Sequence, residues 1–325
     1  MKNNSAPLEK KSKLAFLDEG TPKQQKQKKI LLYVILSTVA ALVLSLSVFL
    51  TVGIISLVKD DAGDPDNSQN NEQNNRSDNS SGGQLSGYIS SSFSADQKNN
   101  GNLLLIDDSH LFAGSASTVL VNDHRSEAKV YSIEGTTTLG GTEEAVIALN
   151  SMIEAFYLST QNDCLYVYNA HRKGSDKADI FASGLCFTLT YVDMNDKKHD
   201  HSIYNESEYS WIYDNAHKYG FVQLYPASAD DEDTSKANIF RYVGEPHASY
   251  MKRQGLTLDK YLELLKTKTP DKALSLTDSA GNKYKVYYLT SAGGLVPSDA
   301  STYTVSGDNM GGYVVTVCTS KKAAS

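Results

Sequence analysis

Apolar and polar positions divide this chain into three regimes. From Ile30 to Val58 the run ILLYVILSTVAALVLSLSVFLTVGIISLV extends for 29 positions without a charged residue. About 20 apolar residues suffice to cross the hydrocarbon core of a bilayer, so the pattern predicts one transmembrane helix. The apolar core of a signal peptide is only about 7–15 residues long. This run exceeds that, and no small-x-small cleavage site follows it, which argues against a cleaved leader. Residues 59–101 then become rich in Asn, Ser, Asp and Gly, as in DPDNSQNNEQNNRSDNSSGG. Such a segment buries too little apolar surface to offset its ordering entropy, and it is expected to be a disordered polar linker.

From residue 102 onward the periodicity is that of a folded domain, spanning 102–325. LLLID at Leu103–Asp107 reads as a short strand. Residues 143–158 place Val146, Leu149, Met152, Ile153 and Phe156 on one helical face, with Glu143 and Glu144 favourably in the first turn. CLYVYNAHR reads as a strand entering a loop. In GLCFTLTYVD, Phe187, Leu189 and Tyr191 alternate against Cys186, Thr188 and Thr190, which is strand spacing. SWIYDNAHKYG predicts a helix ending at Gly220, and FVQLYP and NIFRYVG are further extended runs. EPHASYMKRQG has Pro246 at a helix start and Gly255 past its end. LTLDKYLELLK puts Leu258, Tyr261, Leu262 and Leu265 at helical spacing, and the tail from Lys283 alternates as strands around glycine turns. Helices and strands mixed without strict alternation indicate an α+β class, with no internal repeat.

Charge sharpens this division. The net charge is −7, but residues 1–59 carry nine lysines, no arginine and three acids. Removing them leaves 22 basic and 35 acidic residues, an excess of −13 beyond Lys59. A domain that acidic is a poor nucleic-acid binder, because phosphate neutralisation needs clustered Lys and Arg. Lys23, Lys26, Lys28 and Lys29 precede the apolar run, while Asp60, Asp61, Asp64 and Asp66 follow it. The lysine excess predicts a cytoplasmic basic tail at 1–29, a helix at 30–58 and an extracytoplasmic C-terminal domain in a single-pass membrane protein. The three cysteines, Cys164, Cys186 and Cys318, lie in apolar strand-like runs without metal-ligand spacing. They read as buried thiols, and a Cys164–Cys186 bridge would require adjacent strands.

Three stretches carry a family resemblance. WIYDNAHKYGFVQLYP (Trp211–Pro226), FRYVGEPHASYM (Phe240–Met251) and LYVYNAHR (Leu165–Arg172) agree in order and spacing with segments of the VanY-like D-alanyl-D-alanine carboxypeptidases. The resemblance runs from about Leu103 to Thr319. It implies a carboxypeptidase-like core with a mostly antiparallel sheet flanked by helices. It also implies zinc and peptidoglycan stem peptides as cofactor and substrate. The family's first signature, Ser-x-His-x-x-Gly-x-Ala-x-Asp, falls on DIFASGLCFT, Asp179–Thr188. Gly184 is kept, Phe181 stands at the ligand His and Thr188 at the ligand Asp. The second signature, Glu-x-Trp-His, falls on KANI: Lys236 replaces the catalytic Glu, Asn238 the Trp, and Ile239 the third zinc ligand.

A catalytic zinc needs three protein ligands and an open position. Phe and Ile offer no lone pair, and a Lys is not an anionic base. Without the metal, water keeps a pKa of about 15.7 rather than about 7, which lowers hydroxide by roughly eight orders of magnitude. The expectation is therefore a pseudopeptidase with no cofactor, binding a peptidoglycan peptide or an envelope protein. An active zinc D,D-carboxypeptidase with rearranged ligands and an envelope scaffold subunit are the alternatives. The resemblance makes Arg172 the arginine that handles the peptide end, and a guanidinium suits a terminal carboxylate. Arg172, Arg241 and Lys236 together would form an anion-binding pocket; the alternative for Arg241 is an internal salt bridge. His199, Asp200 and His201 read as a solvated turn rather than a relocated metal site. His247 reads as structural.

Overall fold

The computed structural model describes residues 85–193, 195, 198–227 and 235–321. The expected membrane helix at 30–58 and the basic tail lie outside these residues. Among the described residues no helix is long and apolar enough to cross a membrane.

In chain order the strands are β1 (Tyr88–Ser92), β2 (Val119–Leu120), β3 (Ser132–Ile133), β4 (Gly140–Gly141), β5 (Leu165–Asn169), β6 (Cys186–Tyr191) and β7 (His201–Ser202). They continue as β8 (Phe221–Gln223), β9 (Ile239–Tyr242), β10 (Leu274–Thr277), β11 (Lys283–Leu289), β12 (Gly293–Pro297), β13 (Tyr303–Gly307) and β14 (Tyr313–Ser320). The α-helices are α1 (Glu143–Thr160), α2 (Ser210–Asn215), α3 (His247–Gln254) and α4 (Leu258–Leu265). The central sheet has the order β3-β5-β6-β9-β8, with β7 also paired to β6. Its β3–β5 pair is parallel and the others are antiparallel, in keeping with the expected α+β class.

The helix expected at 143–158 forms as α1, and its five face residues are fully buried. They meet Val167, Phe187, Leu189, Phe221 and Phe240, which all point to one face of the sheet. At roughly 1.5–3 kcal/mol per fully buried large apolar side chain, this layer is the main source of stability. Strand period 2 then forces Cys186 and Thr188 of β6, and Ile239 and Arg241 of β9, onto the opposite face. Residue pairing confirms the alignment: Cys186 lies opposite Arg241 and Thr188 opposite Ile239. The helix α2 continues as a short 3-10 turn that stops at Gly220, whose φ of 80° suits glycine. Helices α3 and α4 form where expected and pack on a second sheet, β10-β11-β14-β13, through Met251, Leu262, Val286 and Val314.

Two expectations fail locally. Leu103–Asp107 is not a strand, although Leu103, Leu104 and Ile106 are buried. Its backbone groups are satisfied elsewhere: Leu103 N donates to Ser306 Oγ and Leu105 N to the Asp308 carbonyl, both on the C-terminal sheet side. Order also begins before residue 102, because β1 pairs with β12 and Tyr88 and Phe93 pack against Tyr287, Val296 and Val315. The polar composition of YISSSF concealed a strand that needs only one apolar edge to dock. The three cysteines are free thiols. Strands β5 and β6 are adjacent, yet Cys164 sits opposite Val192, six residues along the chain from Cys186.

His247 has the structural role expected of it. It is buried, with Nδ1 against the Tyr261 hydroxyl at 2.8 Å and Nε2 against Thr316 Oγ1 at 3.0 Å, which ties α3 to α4 and β14. Burial lowers its pKa to about 3. The unfolded chain therefore takes up a proton below about pH 6.5 that the folded chain refuses. This group's contribution to stability is present above pH 6.5 and is lost as pH falls toward 3, by at most about 1.4 kcal/mol per pH unit. Urea unfolding from pH 7 to pH 4 is expected to show that slope in the wild type and a flatter one in His247→Gln. Parallel slopes would contradict a neutral buried imidazole.

Candidate functional site

The face of the sheet turned away from α1 carries the positions that the motifs singled out. Phe181 comes from the turn before β6, Thr188 from β6 and Ile239 from β9. Phe181, Cys186 and Ile239 pack together, with Ile180 and Leu224 against them. Phe181 is 7% exposed and Ile239 9%. Burial raises the Cys186 thiol pKa, with Arg241 only partly opposing it, so Cys186 is a protonated apolar neighbour rather than a thiolate ligand. This donor set does not fit a zinc ion: two hydrocarbon side chains and a neutral thiol occupy the centre. Among the described residues no group of three or more His, Cys, Asp or Glu side chains is placed to hold a metal.

Gly184 remains in this turn for a backbone reason. Its φ is +72°, and a Cβ there would meet Thr118 Cγ2 at 2.9 Å and Thr142 N at 3.0 Å. Its carbonyl accepts the Thr142 N–H at 2.8 Å, at the start of α1. The glycine of the motif therefore serves the scaffold and is indifferent to the metal chemistry. Asn238 is likewise structural: its amide nitrogen donates to Ser202 Oγ at 3.0 Å, and its Oδ1 accepts from Tyr213 at 3.2 Å.

The three cations do not converge. Arg241 is 1% exposed. One of its terminal nitrogens donates to the Leu104 carbonyl at 2.9 Å and the Asn102 carbonyl at 3.5 Å, and the other to Cys186 Sγ at 3.8 Å. These partners are neutral, so the expected internal salt bridge is replaced by carbonyl contacts, and little of the fork is left for a ligand. Lys236 is exposed, with its ammonium 5.5 Å above the Tyr225 ring. Arg172 is exposed and donates to Asn169 Oδ1 at 3.0 Å. Register explains the separation. Asn169 and Ile239 both pair with Thr188; Arg172 lies three residues past the first, toward Gly184, and Lys236 three before the second, toward Thr190. Of the three, Arg172 faces a cavity, of 990 Å³, shared with His171, Lys173, Thr138 and Asp123.

The histidines of the 199–201 stretch have separate partners. His199 Nε2 lies 3.1 Å from Glu134, and His201 stacks on Tyr191. A second cavity, of 490 Å³, lies beside the start of α1 and was not foreseen from the sequence. Its polar wall includes Thr142, Ser183 and Glu245; the last two lie within the motif stretches at positions the motifs do not specify, and the three come from segments distant in sequence.

Comparison with known proteins supports the fold. No family model matches the chain. It is 34% identical over 119 residues to a D-alanyl-D-alanine carboxypeptidase of Enterococcus faecium, which covers 34% of this chain and 36% of that protein. It is 38% identical over 58 residues to the putative carboxypeptidase YodJ of Bacillus subtilis, covering 17% and 21%. The chain thus spans about a third or less of the length of these curated relatives. Among solved structures, the vancomycin resistance D,D-dipeptidase VanXYg, in complex with a D-Ala-D-Ala phosphinate analogue, aligns with a TM-score of 0.57 at 17% identity. That alignment covers 71% of this chain and 99% of VanXYg. The mixed α+β fold is that of the VanY/VanX-type D-Ala-D-Ala carboxypeptidases, as the motif resemblance implied.

Arg241→Met keeps the apolar stem and removes the fork, leaving the Leu104 and Asn102 carbonyls without donors. It is expected to cost about 3 kcal/mol in urea unfolding. Arg241→Lys should recover only part of that, because an ammonium cannot reproduce the planar donor geometry. Unchanged midpoints in both variants would show that segment 102–104 is held by its apolar side chains alone.

Proposed function

We propose that this chain is a membrane-tethered, catalytically silent relative of the VanY-like carboxypeptidases that binds a peptide without cleaving it. The observation that carries the reading is the cluster of Phe181, Cys186 and Ile239. It fills the sheet face where the motif alignment puts two zinc ligands, while Thr188 and Lys236 stand at the other two positions of the catalytic set. Replacing metal ligands with hydrocarbon removes both the Lewis acid and the activated water that the family's hydrolysis requires. The fold, by contrast, is retained down to Gly184 and the Phe-Arg-Tyr strand.

The bound molecule is, on this reading, the carboxylate end of a peptidoglycan stem peptide. Arg172 is the group that receives it, at the 990 Å³ cavity where Lys173 adds a second cation and Asp123 the opposing charge. The 30–58 segment would hold the domain on the outer face of the membrane, with the polar residues 59–84 as a tether of 26 residues reaching on the order of 28 Å. This places the domain close to the bilayer, facing newly made wall material.

The test uses the full-length chain purified in mild detergent. Metal analysis is expected to find no stoichiometric zinc, and incubation with a D-Ala-D-Ala-terminated pentapeptide is expected to release no D-alanine. Calorimetry with the same peptide should give a millimolar Kd that Arg172→Ala weakens about tenfold or more. Zinc together with D-alanine release would overturn the loss of catalysis. Absence of binding would overturn the peptide-binding role.

A further inference from the structure

A smaller cavity, of 270 Å³, opens at the β8 edge of the central sheet. It lies between α2 with its 3-10 continuation, β8 and the end of α3. Its floor is Phe221, Phe240, Met251 and Ala216, none more than 3% exposed. Half-buried Leu256 adds hydrocarbon to its side. His217 and Lys252 also line it, and its lining contains no Asp or Glu. It shares no lining residue with the cavity at Arg172.

The charge around this cavity runs against that of the chain beyond Lys59. The segments that build it, residues 210–220, 221–226 and 247–257, hold Lys218, Lys252 and Arg253 against one acid, Asp214. Asp214 does not line the cavity. Burial lowers the His217 pKa, and Lys218, Lys252 and Arg253 each lie close enough to the imidazole to lower it further. The three cations therefore gather about one side chain of the cavity wall. Lys252 donates to the Tyr213 carbonyl at 3.1 Å and Lys218 to Asn215 Oδ1 at 2.8 Å, both neutral acceptors. Among the described residues none of the three cations has an ion-pair partner.

Basic residues in the last turn of a helix are favourable by themselves, because they face its carbonyl end. That accounts for Lys252 and Arg253 on α3 taken alone. It does not account for a third cation brought toward them from the 3-10 turn, since like charges without counter-ions repel. An anion held there relieves the repulsion. The Lys252 ammonium has three donors, and Tyr213 uses one, which leaves two for a singly charged head with two oxygens. The hydrocarbon floor matches an apolar group behind that head. At 270 Å³ the cavity is below the roughly 300–1,000 Å³ of sites for drug-sized ligands, so that group is small.

We infer that this cavity binds a small carboxylate on a short hydrocarbon chain, with its head at Lys252 and its chain against Phe221, Met251 and Leu256. The site is separate from the peptide binding proposed at Arg172, and neither depends on the other.

The test follows the Met251 methyl group, on the cavity floor, by NMR of the full-length chain in non-ionic detergent with isotope-labelled methionine methyl groups. Met251→Leu assigns the resonance. Hexanoate is expected to shift it with a millimolar Kd, at least about tenfold tighter than hexanamide, which has the chain without the charge. Acetate, which has the charge without the chain, should also bind at least about tenfold more weakly than hexanoate. In the double variant Lys252→Gln, Arg253→Gln, both at exposed positions, hexanoate should bind about tenfold more weakly and hexanamide as before. Thermal unfolding checks that the variant is folded. No shift up to roughly 50 mM hexanoate, equal affinity for hexanoate and either control, or an undiminished preference in the double variant would each overturn the inference.

Discussion

The guanidinium of Arg241 is the constraint on which the two halves of the molecule depend. It sits on β9 behind the central sheet, almost wholly buried, and spends its donors on the carbonyls of Asn102 and Leu104. Those carbonyls belong to a segment without regular structure, which then gives its own N–H groups to Ser306 Oγ and the Asp308 carbonyl. One side chain thus links the central sheet to the C-terminal sheet through a strap of five residues. A buried charge is tolerable here because it is satisfied by hydrogen bonds rather than by a counter-ion. The same strap walls the cavity beside α1, so the packing that unites the sheets also shapes that cavity.

The two faces of the central sheet have followed different paths. The face toward α1 is a conventional core, and it retains everything a shared fold requires. The other face, where the motif alignment puts the catalytic positions, is apolar at Phe181 and Ile239. Alternation of side chains along β6 and β9 sets the face of Phe187, Leu189 and Phe240 against that of Ile239, while Phe181 reaches the second face from the turn before β6. On such a sheet the residues that specify the core and those at the motif positions are interleaved but face opposite ways, so one set can change with little effect on the packing of the other. Gly184 illustrates the division: it persists because its backbone conformation and its contact with α1 admit no Cβ.

Much of the fold was legible in the chain. The α1 face, the alternation in β6, the stops at Gly220 and Gly255 and the burial of His247 all rest on local periodicity or on a backbone requirement of a single residue. Segment 103–107 misled because four apolar residues in a row indicate burial but not the partner, and its backbone partners lie some 140 to 200 positions away. Residues 88–92 misled in the opposite sense: Ser-rich composition hid an edge strand completed by β12. The pairing of Cys164 with Cys186 turned on register, which adjacency of strands alone does not supply.

The candidate site divides along the same line. The sequence alone raised the expectation that zinc chemistry is missing, because the identity of a residue at a motif position decides whether a lone pair exists there. It also established the acidic balance beyond Lys59 and the apolar run before it, since both are sums over residue types. Only the tertiary structure decided that Arg172, Arg241 and Lys236 do not meet, because strand register sets where each lands and one of them is consumed by carbonyls. Only the tertiary structure brought Thr142, Ser183 and Glu245 to one cavity. That they line one cavity depends on long-range packing, which no local pattern in the chain reports.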